Sequence, residues 1–237
     1  MIGHITAPPT KEDVIGAYRR AALLRAAVRV FGECGFDSAT MERIAQEADV
    51  AKGTTYLYYR SKQTIYDAAL GSGLAELGAR TQAAMERAPH VRDAIMAFMR
   101  TRIEYFFEHR DFFRMYVAAL ARHITGAKAK PSEFQSLIDR QTRGLEQAIV
   151  RAIARREIRR VDPAATALAV FDISRGLVAR RITSVASRDM TEDVQFLADL
   201  IWQGLEKGRR EKGEGGREKG KGKREKGKRR REKAKSE

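Results

Sequence analysis

Residues 40–62, TMERIAQEADVAKGTTYLYYRSK, decide how this chain is read. Met41, Ile44, Ala45 and Ala48 recur at helical spacing over two turns, and Thr40 stands where a hydroxyl can cap them. Asp49-Val50 makes a tight turn, and a second short helix is expected over 52–58. Two short helices about such a turn form a helix-turn-helix, placed at about 41–60. The second helix is chemically odd for a core element. Lys52, Thr54, Thr55, Tyr56, Tyr58 and Tyr59 bring short hydroxyls or long side chains with polar tips. Gly53 in its first turn costs about 1 kcal/mol relative to alanine, a loss that close approach of the backbone to a phosphate would offset. Threonines can contact base edges by hydroxyl or methyl, whereas tyrosine hydroxyls and lysines suit phosphate oxygens.

The same periodicity extends on both sides. Ala21, Leu24, Val28 and Phe31 share a helix face upstream, and the run stops at Gly35. Downstream, Ser61 can cap a helix running towards Arg87, closed by Pro89. Aromatic-rich helices follow over 91–109 and 111–125, the second with Asp111 as N-cap. After a loop at 126–131, Ser132 and Gln135 have capping-box spacing, and Ile138, Leu145, Ile149 and Ala152 share a face. Asp162-Pro163 and Thr191-Glu192-Asp193 open the last two helices. On the final helix Val194, Leu197, Ala198, Ile201 and Leu205 form an apolar stripe, with Asp193, Asp199, Gln203 and Glu206 away from its centre. No β-type alternation of useful length occurs, so the fold class is all-α.

Charge divides the 237 residues unevenly. The net charge is +15, of which residues 207–237 contribute +10 through 16 Lys+Arg against 6 Asp+Glu. Arg-Glu-Lys-Gly recurs there at 210, 217 and 224, with no apolar seam for a coiled coil. A disordered basic tail is expected, attractive to any polyanion or merely solubilising. Residues 1–16 read as a flexible N-terminal arm. No stretch approaches the roughly 18 apolar residues of a membrane span, and the single cysteine, Cys34, fits a reducing cytoplasm. His109 and His123 are too far apart for an i, i+4 metal pair, and no catalytic spacing is present. Neither a metal, a cofactor nor an enzyme is expected.

The stretch FGECGFDSAT followed by MERIAQEADVAKGTTYLYYRSKQTIY closely resembles the DNA-binding domain of the TetR (tetracycline-repressor) family. Phe31, Gly35, Phe36, Thr40, Ile44, Ala45, Ala48, Val50, Gly53, Tyr56, Tyr58, Tyr59, Ser61 and Lys62 match the family pattern. Asp49 replaces the usual turn glycine, which a left-handed Asp tolerates. Ala51 replaces the usual Ser/Thr cap, losing about 1 kcal/mol. The resemblance implies a three-helix helix-turn-helix domain over 17–77 and a helical ligand-binding and dimerisation domain over 78–206. It also implies that Thr40 contacts a phosphate and that Lys52, Thr54 and Thr55 face base edges or nearby backbone, with Thr55 alternatively packing. Gly53 allows close docking, and Tyr58, Tyr59 and Lys62 hold phosphates. Tyr56 either packs or contacts DNA.

Beyond 77 the resemblance implies a homodimer formed by the last two helices, with Val170, Ile173, Leu177, Val194, Leu197, Ile201 and Leu205 at the interface. An ordinary intramolecular core is the competing reading. Phe98, Tyr105, Phe106, Phe113, Tyr116 and Phe134 mark a ligand pocket, although core packing also explains them. A small apolar or aromatic ligand is expected rather than a strongly anionic one. Together these features imply a cytoplasmic, homodimeric repressor, released from a double-stranded DNA operator by that ligand. The alternatives are an activator, a partner-controlled regulator, or a nonspecific nucleic-acid binder dominated by the tail.

Overall fold

Thr10 opens the first helix, α1 (Lys11–Ser38), with a capping box: Asp13 N donates to Thr10 Oγ1 (3.2 Å) and Thr10 N donates to Asp13 Oδ2 (2.9 Å). Hydrogen bonds from Thr10 hold the Asp13 carboxyl below its ordinary range. The computed structural model describes residues 10–125, 131–183 and 189–206, so residues 1–9 and the 207–237 tail lie outside it. The expected 1–16 arm is corrected accordingly: from Lys11 onward it is helix, nucleated by a box the arm reading overlooked. The inward face of α1 is Leu23, Ala26, Ala27, Val30 and Phe31, with Leu24 and Val28 only half-buried and Ala21 exposed. The helix lies between α4 and α6, defined below, so its buried arc is wider than one stripe. Gly35 breaks it with φ 76°, a backbone that glycine adopts without strain.

The helix-turn-helix follows as expected. Thr40 Oγ1 accepts from Arg43 N (3.1 Å) to start α2 (Met41–Glu47), and Asp49 takes the left-handed turn at φ 53°. α3 (Lys52–Tyr58) begins at Ala51 without a side-chain cap. Ser61 Oγ accepts from Thr64 N (3.1 Å) to start α4 (Lys62–Glu86), which runs unbroken through the expected 77/78 domain boundary.

Three later helices start differently from expectation. After α5 (Val91–Glu108), α6 (Arg110–Thr125) already includes Asp111, which sits in the first turn beside Arg114 rather than at the cap. A carboxylate there still favours the positive end of the helix dipole. α7 (Pro131–Ala154) starts on a proline, which suits a first helical position, so Ser132 lies inside the helix. α8 (Pro163–Thr183) begins as read, with Ala165 N donating to Asp162 Oδ1 (3.0 Å). α9 (Met190–Leu205) is capped by Asp189, whose Oδ1 accepts from Thr191 N (2.6 Å). The cap expected at Thr191 is thus Asp189, two residues earlier.

Among the described residues every regular element is a helix, and α1–α9 form one compact unit. α5 lies at its centre, against α4, α7, α8 and α9. The α9 stripe turns towards this core: Val194, Ala198 and Leu205 are buried, and Leu197 and Ile201 are half-buried. Asp193, expected away from the stripe, is buried too. It accepts from Arg180 (2.9 Å) and Arg181 (2.5 Å), which ties the end of α8 to the start of α9.

α1 and α6 approach until their backbones touch. A Cβ on Gly32 would stand 2.6 Å from the Asp111 carbonyl oxygen and 2.8 Å from its Cα, both backbone atoms. Alanine normally stabilises a helix interior by about 1 kcal/mol over glycine. Here the methyl group must push α1 and α6 apart, a type of overpacking that costs about 1–3 kcal/mol. Gly32→Ala is therefore expected to lower the melting temperature by several degrees in calorimetry. A variant melting at or above wild type would show that the two backbones are not in contact.

Candidate nucleic-acid interface

α3 has an inner and an outer side, and the side chains sort accordingly. Thr55 is fully buried, and its Oγ1 has no hydrogen-bond partner. One turn on, Tyr59 is buried in the core, where desolvation pushes its phenol above the ordinary range. Tyr59 was expected to hold a phosphate, and Thr55 either to face the DNA or to pack, of which it packs. The correction is geometric: Thr55 lies on the side of α3 packed on α2, and Tyr59, the extended residue that ends α3, turns into the core. Tyr58 is half-buried, and the Arg20 guanidinium of α1 lies 5.6 Å from its ring centre. Thr54 is half-buried, whereas Tyr56 is exposed.

The outer side carries Lys52, Gly53, Tyr56 and Leu57, followed by Arg60. A Cβ on Gly53 would meet nothing within 4 Å, so no contact inside this chain requires glycine there. Leu57 is 82% exposed, an unusual place for leucine on a seven-residue helix. It was not picked out from the sequence, yet the signal was available. Two residues from Thr55, it falls on the opposite side of the helix.

Charges around this face are largely paired. Lys52 Nζ bonds the Glu42 carboxylate of α2, an exposed pair that raises the lysine pKa and lowers that of the glutamate. Arg43 pairs with Glu33 (2.7 Å) and Arg29 with Glu47 (2.7 Å). Lys62, half-buried, donates to the Asp37 carbonyl (3.0 Å) and stands 4.7 Å from the Phe36 ring centre. It staples the start of α4 to the end of α1, with ammonium protons left over for an anion. Thr40 is exposed, its hydroxyl occupied as the α2 cap. A polyanion meeting this face would exchange Glu42 for phosphate at Lys52, and exposed pairs of this kind are weak.

The expected ligand-pocket residues lie elsewhere. Phe98, Tyr105, Phe106, Phe113 and Tyr116 are all buried and packed on one another, with Phe106 at 5.3 Å from Phe113 and 5.5 Å from Tyr116. The Phe134 side chain lies outside the described residues. A cleft of about 650 Å³ opens instead between α1, α4 and the α5–α6 turn, lined by Leu24, Val28, Glu76, Phe107, His109 and Phe112 among others. Of the expected set, Tyr105 alone reaches it.

An all-helical chain with an exposed, glycine-containing second helix in a helix-turn-helix defines the class of helix-turn-helix DNA-binding proteins. Residues 23–69 match the family described as "Bacterial regulatory proteins, tetR family". The chain is 37% identical over 82 residues to the HTH-type transcriptional regulator BetI of Rhizobium meliloti, covering 35% of this chain and 40% of BetI. It is 25% identical over 130 residues to IcaR of Staphylococcus aureus, named a negative transcriptional regulator of the biofilm operon icaADBC, covering 54% and 64%. The chain thus spans between about a third and two thirds of the length of the curated relatives it matches. The solved structure of PfmR, a TetR family transcriptional regulator from Thermus thermophilus, superposes with a TM-score of 0.60 at 22% identity. That match covers 85% of this chain and 100% of PfmR, a likeness of fold. Residues 23–69, in the N-terminal helices, thus carry the likeness to the tetR family of bacterial regulatory proteins.

Gly53 and Leu57 separate DNA contact from folding. Gly53→Ala is expected to stabilise the protein by about 0.5–1 kcal/mol, since the new methyl group meets nothing. The same variant should bind a duplex selected from random DNA more weakly. Leu57→Ala should leave the melting temperature unchanged and weaken that binding by about 1–2 kcal/mol, as for a lost apolar contact to a base. Paired melting and gel-shift titrations check both. Unchanged affinity in both variants would move the DNA contact off this face.

Proposed function

We propose that this chain is a sequence-specific, homodimeric transcriptional repressor whose hold on its operator is released by a small ligand. The observation that carries the reading is the outer side of α3. Lys52, Gly53, Tyr56 and Leu57 are exposed on a short helix whose inner residues, Thr55 and Tyr59, are locked into the core. Repression is supported by the name of the IcaR relative. Ligand release is supported by the way α6 of the regulatory helices grips α1: Arg114 Nε donates to the Gly32 carbonyl (2.9 Å), and Tyr66 of α4 donates to the Met115 carbonyl (3.3 Å). A shift of α6 therefore reaches the helix that leads into the helix-turn-helix. Footprinting on selected DNA, with and without cell-extract metabolites, tests the reading. A protein that protects no discrete sequence would overturn it.

Dimerisation is assigned to the outer faces of α8 and α9, with the contact residues revised. Val170, Leu177, Val194 and Leu205 are buried within the chain, and Ile173, Leu197 and Ile201 are only partly accessible. The apolar residues turned outward on the same helices are Leu168 at 41% exposure, Phe196 at 56% and Leu200 at 55%. Leu200→Glu is expected to give folded monomers in sedimentation, because the glutamate stays in water once the partner is lost. Operator affinity should fall with it, since a dimer must span two half-sites. A dimer that survives this substitution would place the interface elsewhere.

The basic tail is assigned a sequence-blind part. Its net charge of +10 should act by counterion release, which is steep in salt and indifferent to base sequence. Truncation after Glu206 should keep the footprint and base preference while flattening the plot of log affinity against log salt. Equal slopes for the two proteins would reduce the tail to a solubilising appendage.

A further inference from the structure

Arg102 of α5 is the largest side chain sealed in the interior, with 1% of its surface exposed. Aromatic rings surround its guanidinium: Phe171 at 4.4 Å, Phe98 at 5.4 Å and Phe106 at 5.7 Å from their centres. Nε donates to Ser174 Oγ (3.1 Å), which itself donates to the Phe171 carbonyl (2.7 Å). The buried Tyr116 hydroxyl of α6 lies against the guanidinium, and apart from that neutral neighbour neither it nor Nη1 has a hydrogen-bond partner. Among the described residues no carboxylate pairs with Arg102. Arg175, the other charge near it, is also cationic and is paired with Asp172 (2.9 Å). Burial pushes the Arg102 pKa down, with Tyr116 working the other way, yet a guanidinium keeps its proton in proteins. Elsewhere the chain follows the usual rule, since the largely buried Arg181 meets Asp193.

We propose that Arg102 anchors a small organic monocarboxylate, whose apolar body lies among the rings of α5, α6 and α8. This deepens the ligand-release reading and rests on it. A buried cation without an anion is a costly arrangement, and a ligand that brings the missing charge gains what the chain leaves open. The guanidinium fork matches a carboxylate, and Nη1 and the neighbouring Tyr116 O–H can donate to its two oxygens. One unpaired charge fits a monoanion better than a dianion, and the surrounding rings fit a hydrocarbon or aryl group. Phe106 touches both the guanidinium and Phe112 (rings 6.1 Å apart), and Phe112 lines the 650 Å³ cleft. A ligand arriving from the cleft parts this stack. Moving Tyr116 then disturbs Met115 and Arg114, the residues that grip α4 and α1. The expected apolar ligand thereby acquires an acid group.

The test uses the full chain, straight-chain carboxylates from hexanoate to dodecanoate, and the alcohols of matching length. Calorimetric titration should show carboxylates binding at least tenfold more tightly than the alcohols and raising the melting temperature. Arg102→Met should fold, with a ligand-free melting temperature at or above wild type, and should lose the preference for carboxylate. Tyr116→Phe should weaken carboxylate binding severalfold without changing the circular dichroism. Should Arg102→Met not fold, Tyr116→Phe and the acid–alcohol comparison on wild type decide. Equal binding of acids and alcohols, no binding by any carboxylate, or wild-type binding by Tyr116→Phe would each overturn the proposal. DNA release is measured separately. Carboxylate binding that leaves the operator complex intact would sink ligand release and keep this site. Release by an alcohol, with no carboxylate bound, would do the reverse.

Discussion

Gly32 allows two helix backbones to touch, and the position of the helix-turn-helix depends on that contact. α1 leads through Gly35 and Thr40 into α2 and α3, so whatever orients α1 orients the exposed side of α3. At Gly32 the constraint is steric, with Asp111 backbone where a side chain would otherwise be. It is reinforced by polar contacts: Arg114 to the Gly32 carbonyl, Tyr66 to the Met115 carbonyl, and Arg122 at 4.5 Å from the ring centres of both Phe36 and Tyr66. Packed interfaces of this kind are stiff, and they pass on displacement rather than absorb it. The ring cluster of α5 and the outer side of α3 are thereby joined through one helix, α6.

The electrostatics of the two ends differ in kind. At the helix-turn-helix, Lys52–Glu42, Arg43–Glu33 and Arg29–Glu47 lie in water, where salt screens them and a phosphate can displace the carboxylate at little cost. In the interior, charges are few and their pairing decides whether burial is tolerable. Asp193 satisfies two arginines and fixes the α8–α9 corner. Arg102 is left to aromatic faces and one serine, which attract a cation but do not neutralise it.

Much of this architecture was legible in the sequence because the signals were local. Thr40, Ser61 and Asp162 each bond a backbone N–H three residues on, so a residue type at a fixed offset is enough to find them. The left-handed turn at Asp49 and the break at Gly35 are local in the same sense. Asp189 was missed in favour of Thr191 because both are good cap residues and lie two positions apart. The larger misreadings concern partners. Periodicity shows that a face is buried, not what buries it. Hence Val194 and Leu205 read as an interface between chains, although both pack within this one. Tyr59 read as a phosphate contact from its hydroxyl, and Thr55 as a DNA contact or a packing residue, although both are buried and Leu57 is exposed.

Arg102 shows the limit of reading residues by type. Phe98, Arg102 and Phe106 follow one another at intervals of four on α5, so they share a face that the aromatic residues alone mark as core. Composition assigns arginine to water, and the arginine in that run passed unnoticed while its aromatic neighbours pointed to an uncharged ligand. Its burial reverses the chemistry of the site. An aromatic cluster around nothing selects for shape and apolar area. The same cluster around a guanidinium with no carboxylate partner would favour first one negative charge, then the hydrocarbon attached to it, because a low dielectric strengthens a matched pair and a neutral competitor gains nothing from it.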